Sequence, residues 1–199
     1  MVNFFALLGL PARPWVDPDV LRQQHLSLTS QHHPDRLPQG SSALRANESA
    51  DTMASLNQAF AIVSSPRDRL GHLHLLLTGQ PPSHTASIPN DLVDLFAQMS
   101  QVLRATDDFL NSRYQITSPI LKAQAYAQGL DWVSRIQELQ GAVRQHMSEF
   151  DQALREFDAD WDGLSDEDRA RGLQVAQFRA SCLQKWTDQL SDRMVQLGI

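Results

Sequence analysis

The tripeptide His33-Pro34-Asp35 is the part of the chain whose residue types best suit recognition chemistry. Proline fixes its own φ and ends a helix, so the side chains on either side of it are held at an exposed tip. The Asp35 carboxylate can pair bidentately with an arginine, and the His33 ring can donate or accept a hydrogen bond near neutral pH. The tripeptide therefore predicts a recognition site, and the alternative is that Asp35 only caps a turn.

An acidic segment, Asp158-Ala159-Asp160-Trp161-Asp162-Gly163, matches the first half of a calcium-binding loop. Calcium needs many oxygen ligands, and a glycine permits the sharp turn that brings them together. However, Arg169 stands where the loop should supply a bidentate glutamate, and Ser165 stands where an apolar residue is usual. The segment therefore predicts either an acidic turn between two helices or a calcium site.

The sequence has no glycine-rich phosphate loop and no serine nucleophile elbow. Cys182 is the only cysteine, and it lies on an apolar helical stripe, where a buried and inert thiol is expected. His72 and His74 do not have the i, i+4 spacing of two metal ligands on one helix. Apart from the calcium alternative, we therefore expect no enzyme activity, no metal and no cofactor.

Charge is distributed unevenly over the 199 residues, which carry a net charge of −6 and are 42% hydrophobic. Residues 1–79 have a net charge of zero, and residues 80–199 carry the whole excess of acidic groups. An acidic half argues against a nucleic-acid partner, which would need a basic stripe. No apolar run approaches the ~20 residues that a bilayer requires, so no membrane partner is expected. The first residues lack a signal-peptide pattern, which favours a cytoplasmic location.

An all-α fold is predicted, because no run of residues alternates apolar and polar side chains between hairpin turns. The helical segments of the first half are 4–10, a helix that is capped by Asp17 or Asp19 and ends before Pro34, about 44–63, and a helix that begins at Pro66 and ends at Gly79. The change in composition near residue 80 predicts a domain boundary there, with residues 80–85 as a short linker.

Three longer helices are predicted in the second half, with apolar residues 3 or 4 apart, as in antiparallel packed helices. The first spans about 90–113. The second begins at Ser118-Pro119, with a break near Gly129. Ser165 and Asp168 resemble a capping box that opens the third. The predicted apolar stripe of the third helix is Val175, Phe178, Cys182, Trp186, Leu190 and Leu197.

The order of a helix, the HPD tripeptide, a short loop and a second helix that ends in Leu56-Asn57-Gln58-Ala59-Phe60 resembles the J domain. The segment Phe4-Phe5-Ala6-Leu7-Leu8-Gly9-Leu10-Pro11 and the segment Ser65-Pro66-Arg67-Asp68-Arg69-Leu70 are similar to those of the HscB (Jac-type) co-chaperones of iron–sulfur cluster assembly. This resemblance implies a J domain at 1–79, a linker at 80–85 and an antiparallel three-helix bundle at 86–199.

The resemblance also implies a partner for the J domain, a seventy-kilodalton (HscA-like) heat-shock chaperone whose ATPase the chain stimulates. The residues that would meet this chaperone are His33, Pro34, Asp35, Arg22 and Arg36. J domains usually dock through a basic face on the helix before the tripeptide, whereas Arg22 is the only arginine of that helix here. Neutral histidines add little charge at pH 7, so we expect modest electrostatic steering.

The bundle of the resembling family binds an iron–sulfur cluster scaffold protein (IscU-like), which would be the client of this chain. The corresponding positions here are Leu92, Leu95, Phe96, Met99 and Phe178. The acidic residues that accompany them in the family are replaced by Ala97, Gln98, Ser100 and Gln101. Three alternatives stay open at this point. The apolar residues could be bundle core, the client could be a different protein, or the chain could be a calcium-responsive helical module with a degenerate J domain.

Overall fold

The computed structural model describes residues 2–32, 43–83, 88–113 and 116–198, with side chains from Ser49 onward in the second range. Within these ranges the chain forms seven α-helices and two short 3-10 turns, and no described residue lies in a strand. The helices are α1 (Phe4–Leu7), α2 (Pro18–Gln31), α3 (Ala43–Ser64), α4 (Pro66–Thr78), α5 (Val93–Arg113), α6 (Pro119–Asp160) and α7 (Asp166–Leu197). The all-α prediction is therefore confirmed for the described residues.

The helix ends lie where the capping residues predict. Asp17 rather than Asp19 caps α2, because its carboxylate accepts hydrogen bonds from the backbone N–H groups of Asp19 and Val20. Ser65 caps α4 ahead of Pro66, and Gly79 ends α4 with a φ of 73°, a left-handed conformation that favours glycine. At α7 the Ser165 hydroxyl accepts from the Asp168 backbone N–H and donates to the Asp168 carboxylate.

The packed residues divide into two compact units. The first contains Met1–His84 and Ala153–Phe178, and the second contains Thr85–Gln152 and Arg179–Ile199. The last residues of α6 and the first half of α7, on either side of the connection between these two helices, therefore pack with residues 1–84. The predicted domain limits rest on composition and on the resemblance, and they stay a prediction. They are 1–79, 80–85 and 86–199.

In the first unit, α2 and α3 form an antiparallel hairpin. His25 stacks on Phe60 with ring centroids 4.3 Å apart and hydrogen-bonds to the Asn57 side chain. One end of the hairpin is closed by the Ser49 hydroxyl, which donates to the backbone carbonyl of His32 at 2.6 Å. Because partner numbers on α3 fall as those on α2 rise, the two helices run in opposite directions. The core of the unit includes Phe5, Leu8, Leu21, Leu56, Val63, Leu70, Leu73, Trp161 and Leu173.

The segment between α1 and α2 is held by residues of α6 and of the α6–α7 connection, which belong to the same unit. Arg13 forms an ion pair with Asp162 at 2.6 Å. The Arg155 guanidinium lies 4.6 Å from the centre of the Trp15 ring. Further along, the Phe157 ring packs on the backbone of Gly172 so closely that an added Cβ would lie 2.5 Å from the ring. Glycine at position 172 therefore permits the close approach of α7 to α6.

In the second unit, α5 and α7 run in the same direction. The pairs Asp91–Arg179 and Asp107–Arg193 are ion pairs of 2.8 Å and 2.7 Å, and residue numbers rise together in both. The long helix α6 therefore runs opposite to both, since a short connection joins it to α7. The buried residues of this unit include Leu92, Leu95, Met99, Leu110, Ile136, Leu139, Val143, Phe150, Leu183, Trp186, Leu190 and Leu197.

Three details of the predicted helices are wrong. The first helix, predicted over 4–10, ends at Leu7, and Gly9 after it has a φ of 65°. Helix α6 runs without a break through Gly129, which is buried. Val175 is 57% exposed and so does not belong to the apolar stripe of α7. No helix in the described ranges is long and apolar enough to span a bilayer.

Candidate functional site

The HPD tripeptide and Arg36 lie outside the described residues, so the structure shows only the helices on either side of them. Helix α2 ends at Gln31, where the His32 backbone N–H donates to the Leu28 carbonyl. Helix α3 begins at Ala43. The tripeptide therefore belongs to the connection of an antiparallel helical hairpin, and its side-chain geometry stays a prediction.

Arg22, the one predicted chaperone-binding residue that is described, lies on the exposed side of α2. Its guanidinium donates to the Asp19 carboxylate at 2.9 Å, and both side chains are mostly exposed. His25 lies on the side of α2 that faces α3, where its ring hydrogen-bonds to the Asn57 side chain and stacks on the Phe60 ring. The exposed side of α2 therefore offers one arginine, and a carboxylate on the same helix already pairs with it.

The predicted client-binding residues of α5 and of the 3-10 turn before it (Asn90–Leu92) fall into two groups. Leu92, Leu95 and Met99 are no more than 5% exposed, whereas Phe96 is 43% exposed. The spacing of Leu92, Leu95 and Met99 places them on the stripe of α5 that packs into the second unit, and Phe96 lies about 100° away from Leu95 around the helix. Leu92, Leu95 and Met99 are therefore core residues, as the bundle-core alternative expects, and Phe96 is the one of the four that is exposed.

Phe96 has an exposed neighbour that the sequence analysis did not select. Val93, one turn earlier on α5, is 46% exposed. The Trp186 ring of α7 is buried next to Phe96, with its centroid 6.4 Å from that of the Phe96 ring. The i, i+3 spacing of Val93 and Phe96 was the signal that could have identified them as neighbours. Phe178, the other predicted client-binding residue, is half-buried on α7 and belongs to the first unit.

Two arginine side chains form hydrogen bonds to oxygen atoms of the acidic segment that a calcium ion would need as ligands. Arg13 bonds the Asp162 carboxylate and donates to the Asp158 backbone carbonyl at 3.4 Å. Arg169 donates to the Trp161 carbonyl at 2.8 Å and stacks on the Trp161 ring. Two guanidinium groups repel a divalent cation from oxygens that they already bond. No group of three acidic, histidine or cysteine side chains among the described residues is placed to hold a metal ion.

Two groups in the described part have pKa values shifted by burial. Burial lowers the pKa of His72, whose Nε2 accepts a hydrogen bond of 3.2 Å from the Phe4 backbone N–H. That bond requires an unprotonated Nε2, so geometry and burial both favour the neutral ring. Burial raises the pKa of the Cys182 thiol, opposed by the Lys185 charge, and a thiol with a raised pKa is a poor nucleophile at neutral pH.

Comparison with known proteins gives a likeness in structure without one in sequence. No protein-family model matches the chain, and no curated protein matches it. The structure of the chaperone HscB from Vibrio cholerae is 17% identical, with a TM-score of 0.52 over 98% of this chain and 99% of that chain. The structure of the human co-chaperone protein HscB is 14% identical, with a TM-score of 0.55 over 94% of this chain and 84% of that chain. The chain therefore has the all-α fold of the HscB co-chaperones, a J domain with a helical bundle.

Proposed function

We propose that this protein is a co-chaperone that stimulates the ATPase of a seventy-kilodalton heat-shock chaperone. The observation that carries the proposal is the position of His33-Pro34-Asp35 at the connection of the antiparallel α2–α3 hairpin. It is supported by a fold shared with HscB structures over 94% of the chain or more. The hydrolysis belongs to the partner, and the chain itself acts by binding.

In the proposed mechanism the tripeptide engages the ATPase of the partner. Pro34 limits the backbone between its neighbours, and the Asp35 carboxylate accepts two parallel hydrogen bonds from an arginine of the partner. Such a bidentate pair is directional, so it fixes orientation as well as contributing affinity. His33 adds a hydrogen bond of either polarity.

We further propose that the second unit binds the client, an iron–sulfur cluster scaffold protein, through Phe96 and Val93. These two exposed apolar residues lie one turn apart on α5, and the Phe96 ring adjoins the buried Trp186 ring. An exposed aromatic residue beside apolar neighbours is a typical anchor of a protein interface. Because Leu92, Leu95 and Met99 are core residues, this surface is narrower than the family's set implies. That difference favours, as a second candidate, a co-chaperone of the same kind with a different client.

The direct test is the rate of ATP hydrolysis by the purified chaperone of the organism that encodes this chain, with and without the protein. Wild type should accelerate hydrolysis, and Asp35→Asn, which keeps the size of the side chain and removes its charge, should not. Helicity and the thermal midpoint should be the same for both proteins. Equal stimulation by wild type and Asp35→Asn would refute the role of the tripeptide.

The client is tested separately, by titrating the purified scaffold protein into wild type and into Phe96→Ala. Binding by wild type that weakens in the variant supports the scaffold as client. Stimulation of the ATPase without any binding of the scaffold would instead support the second candidate.

A further inference from the structure

The first turns of α6 carry a second apolar face besides the one that packs into the second unit. Its members are exposed and lie 3 or 4 residues apart, and we call them the outer α6 face: Ile120, Ala123, Ala127 and Leu130. At 100° per residue this face lies roughly 160° away from the buried stripe of Ala125, Gly129 and Ile136. A surface helix ordinarily has one apolar stripe, so the second one indicates a contact with another molecule.

The large residues of the outer α6 face are strongly exposed. Ile120 is 73% exposed and Leu130 is 43% exposed, and Tyr126, at the edge of the face, is 53% exposed. With the two alanines they form roughly 300–400 Å² of apolar surface, the size at which an exposed patch often has a function. Two such patches with a polar rim would bury about 1,000 Å² in total, the lower limit of a specific protein–protein interface. The area therefore suits a reversible dimer.

The charges near the outer α6 face attract neither an acidic nor a basic partner. Lys122 is the one charged residue of 119–130, and its position lies roughly 120° from the centre of the face. Residues 119–138 contain two cationic and two anionic side chains, so their net charge is zero although the whole chain carries −6. Charges more than about 8 Å apart are largely screened at physiological ionic strength. The acidic excess elsewhere in the chain therefore opposes the pairing of two such faces only weakly.

The order of residue sizes along the outer α6 face is symmetric. Read in either direction, it is a large residue, two alanines and a large residue, with spacings of 3, 4 and 3 as in the seam of a coiled coil. When two copies cross in opposite directions at residue 125, Ile120 lies beside the partner's Leu130, and Ala123 lies beside the partner's Ala127. The small side chains at the crossing permit a short distance between the helix axes. A twofold dimer requires such a self-matching surface, because both copies contribute the same patch.

We propose that the outer α6 face is a dimer interface, at which two copies of this chain pair in antiparallel orientation about a twofold axis near residue 125. The inference is independent of the proposed function, since it uses neither the tripeptide nor the surface at Phe96. A second copy is the occupant that accounts for the symmetric order of sizes, which an unrelated partner would not require.

Sedimentation equilibrium of the purified full chain, from about 5 µM to about 1 mM, measures the association. The weight-average mass should rise from 22.3 kDa toward twice that value, with a dissociation constant on the order of 100 µM. A mass that stays at 22.3 kDa at the highest concentration would overturn the inference and leave the face to a different partner.

Two variants of adjacent residues provide a matched comparison. Ala127→Glu and Gln128→Glu add the same charge at exposed positions, but position 128 lies roughly 120° from the centre of the outer α6 face. Ala127→Glu should weaken the dimer by about tenfold or more, because two carboxylates would lie close together at the twofold axis. Gln128→Glu should change the dissociation constant less than about twofold. Equal dissociation constants for the two variants would place the interface elsewhere. Both thermal midpoints should match wild type, since both positions are exposed.

A mixture of variants tests the antiparallel register. Ala123→Lys alone should associate as weakly as Ala127→Glu alone, because each places a charge within the apolar contact. Mixed in equal amounts, the two variants should regain most of the association, since the introduced charges are opposite in sign and lie side by side across the interface. A mixture that associates no better than the separate variants would rule out the proposed antiparallel pairing.

Discussion

Replacing Arg69 with alanine should destabilise the first unit more than any single change to an exposed arginine. Arg69 is only 5% exposed on α4. Its Nε donates to the Pro14 carbonyl at 3.0 Å, and its Nη1 donates to the Val63 carbonyl at 2.9 Å. One side chain thus joins α4 to the segment before α2 and satisfies a carbonyl in the last turn of α3, which has no partner within that helix.

The magnitude follows from the two carbonyls that Arg69→Ala would leave without their donor. Each buried group that loses its hydrogen-bond partner costs about 1–3 kcal/mol. We expect the free energy of unfolding to fall by about 3 kcal/mol, since water entering the vacated space would offset part of the loss. For a chain of this length that corresponds to a fall in Tm of roughly 6–12 °C. Arg69→Lys should give an intermediate value, because one ammonium group cannot reproduce the guanidinium's two directed bonds.

Urea unfolding followed by far-ultraviolet circular dichroism would measure the change. The matched control is Arg67→Ala, two residues earlier on α4, where the side chain is 47% exposed and pairs with Asp68. Exposed pairs contribute about 0–1 kcal/mol, so this variant should unfold near the wild-type midpoint. Equal midpoints for Arg69→Ala and Arg67→Ala would show that the two buried hydrogen bonds do not stabilise the unit.

Three further predictions concern other parts of the molecule. Phe96→Ala should leave the thermal midpoint within a few degrees of wild type, whereas Leu95→Ala should lower the free energy of unfolding by about 2–5 kcal/mol, as measured in urea. Because burial lowers the pKa of His72, its stabilising effect should be complete above the unfolded-state value of about 6.5 and be lost as the pH falls below it. A His72→Gln variant that keeps the full acid sensitivity between pH 7.5 and pH 5 would contradict this. Gly172→Ala should destabilise by about 1–2 kcal/mol because the Phe157 ring must move. Gly141→Ala should instead stabilise by up to ~1 kcal/mol, because its new methyl group would meet only Arg144 Nη2, at an ordinary van der Waals distance of 4.0 Å.

Local rules predicted the helix ends, because capping depends on residues close in sequence. Asp17, Pro66 and Gly79 each lie at the helix end that was predicted from them. The sequence did not distinguish the exposed Phe96 from the buried Leu95, because the two residues are adjacent and both are apolar. Only the packing of α5 on α7 decides which of the two faces inward.

The acidic segment shows a second limit of sequence reasoning. Counting oxygens along residues 158–163 suggested a possible calcium site, yet Arg13 lies far away in sequence and bonds the segment directly. A partner so distant gives no local signal. Arg169 did give one, since it stands where the calcium loop needs a carboxylate, and its guanidinium bonds the Trp161 carbonyl.

The first unit is discontinuous in the chain, and this has a consequence for its synthesis. Residues 1–84 emerge from the ribosome first, while the partners of Arg13 and Trp15 on residues 153–178 are made only after the whole of 85–152. The N-terminal segment therefore stays incompletely packed until residues 153–178, which form the end of α6 and the start of α7, have been translated. Contacts so distant in sequence slow folding. A fragment that ends at residue 84 would keep the tripeptide but lack these contacts, so it should be easier to unfold and easier to cleave with proteases than the same residues in the full chain.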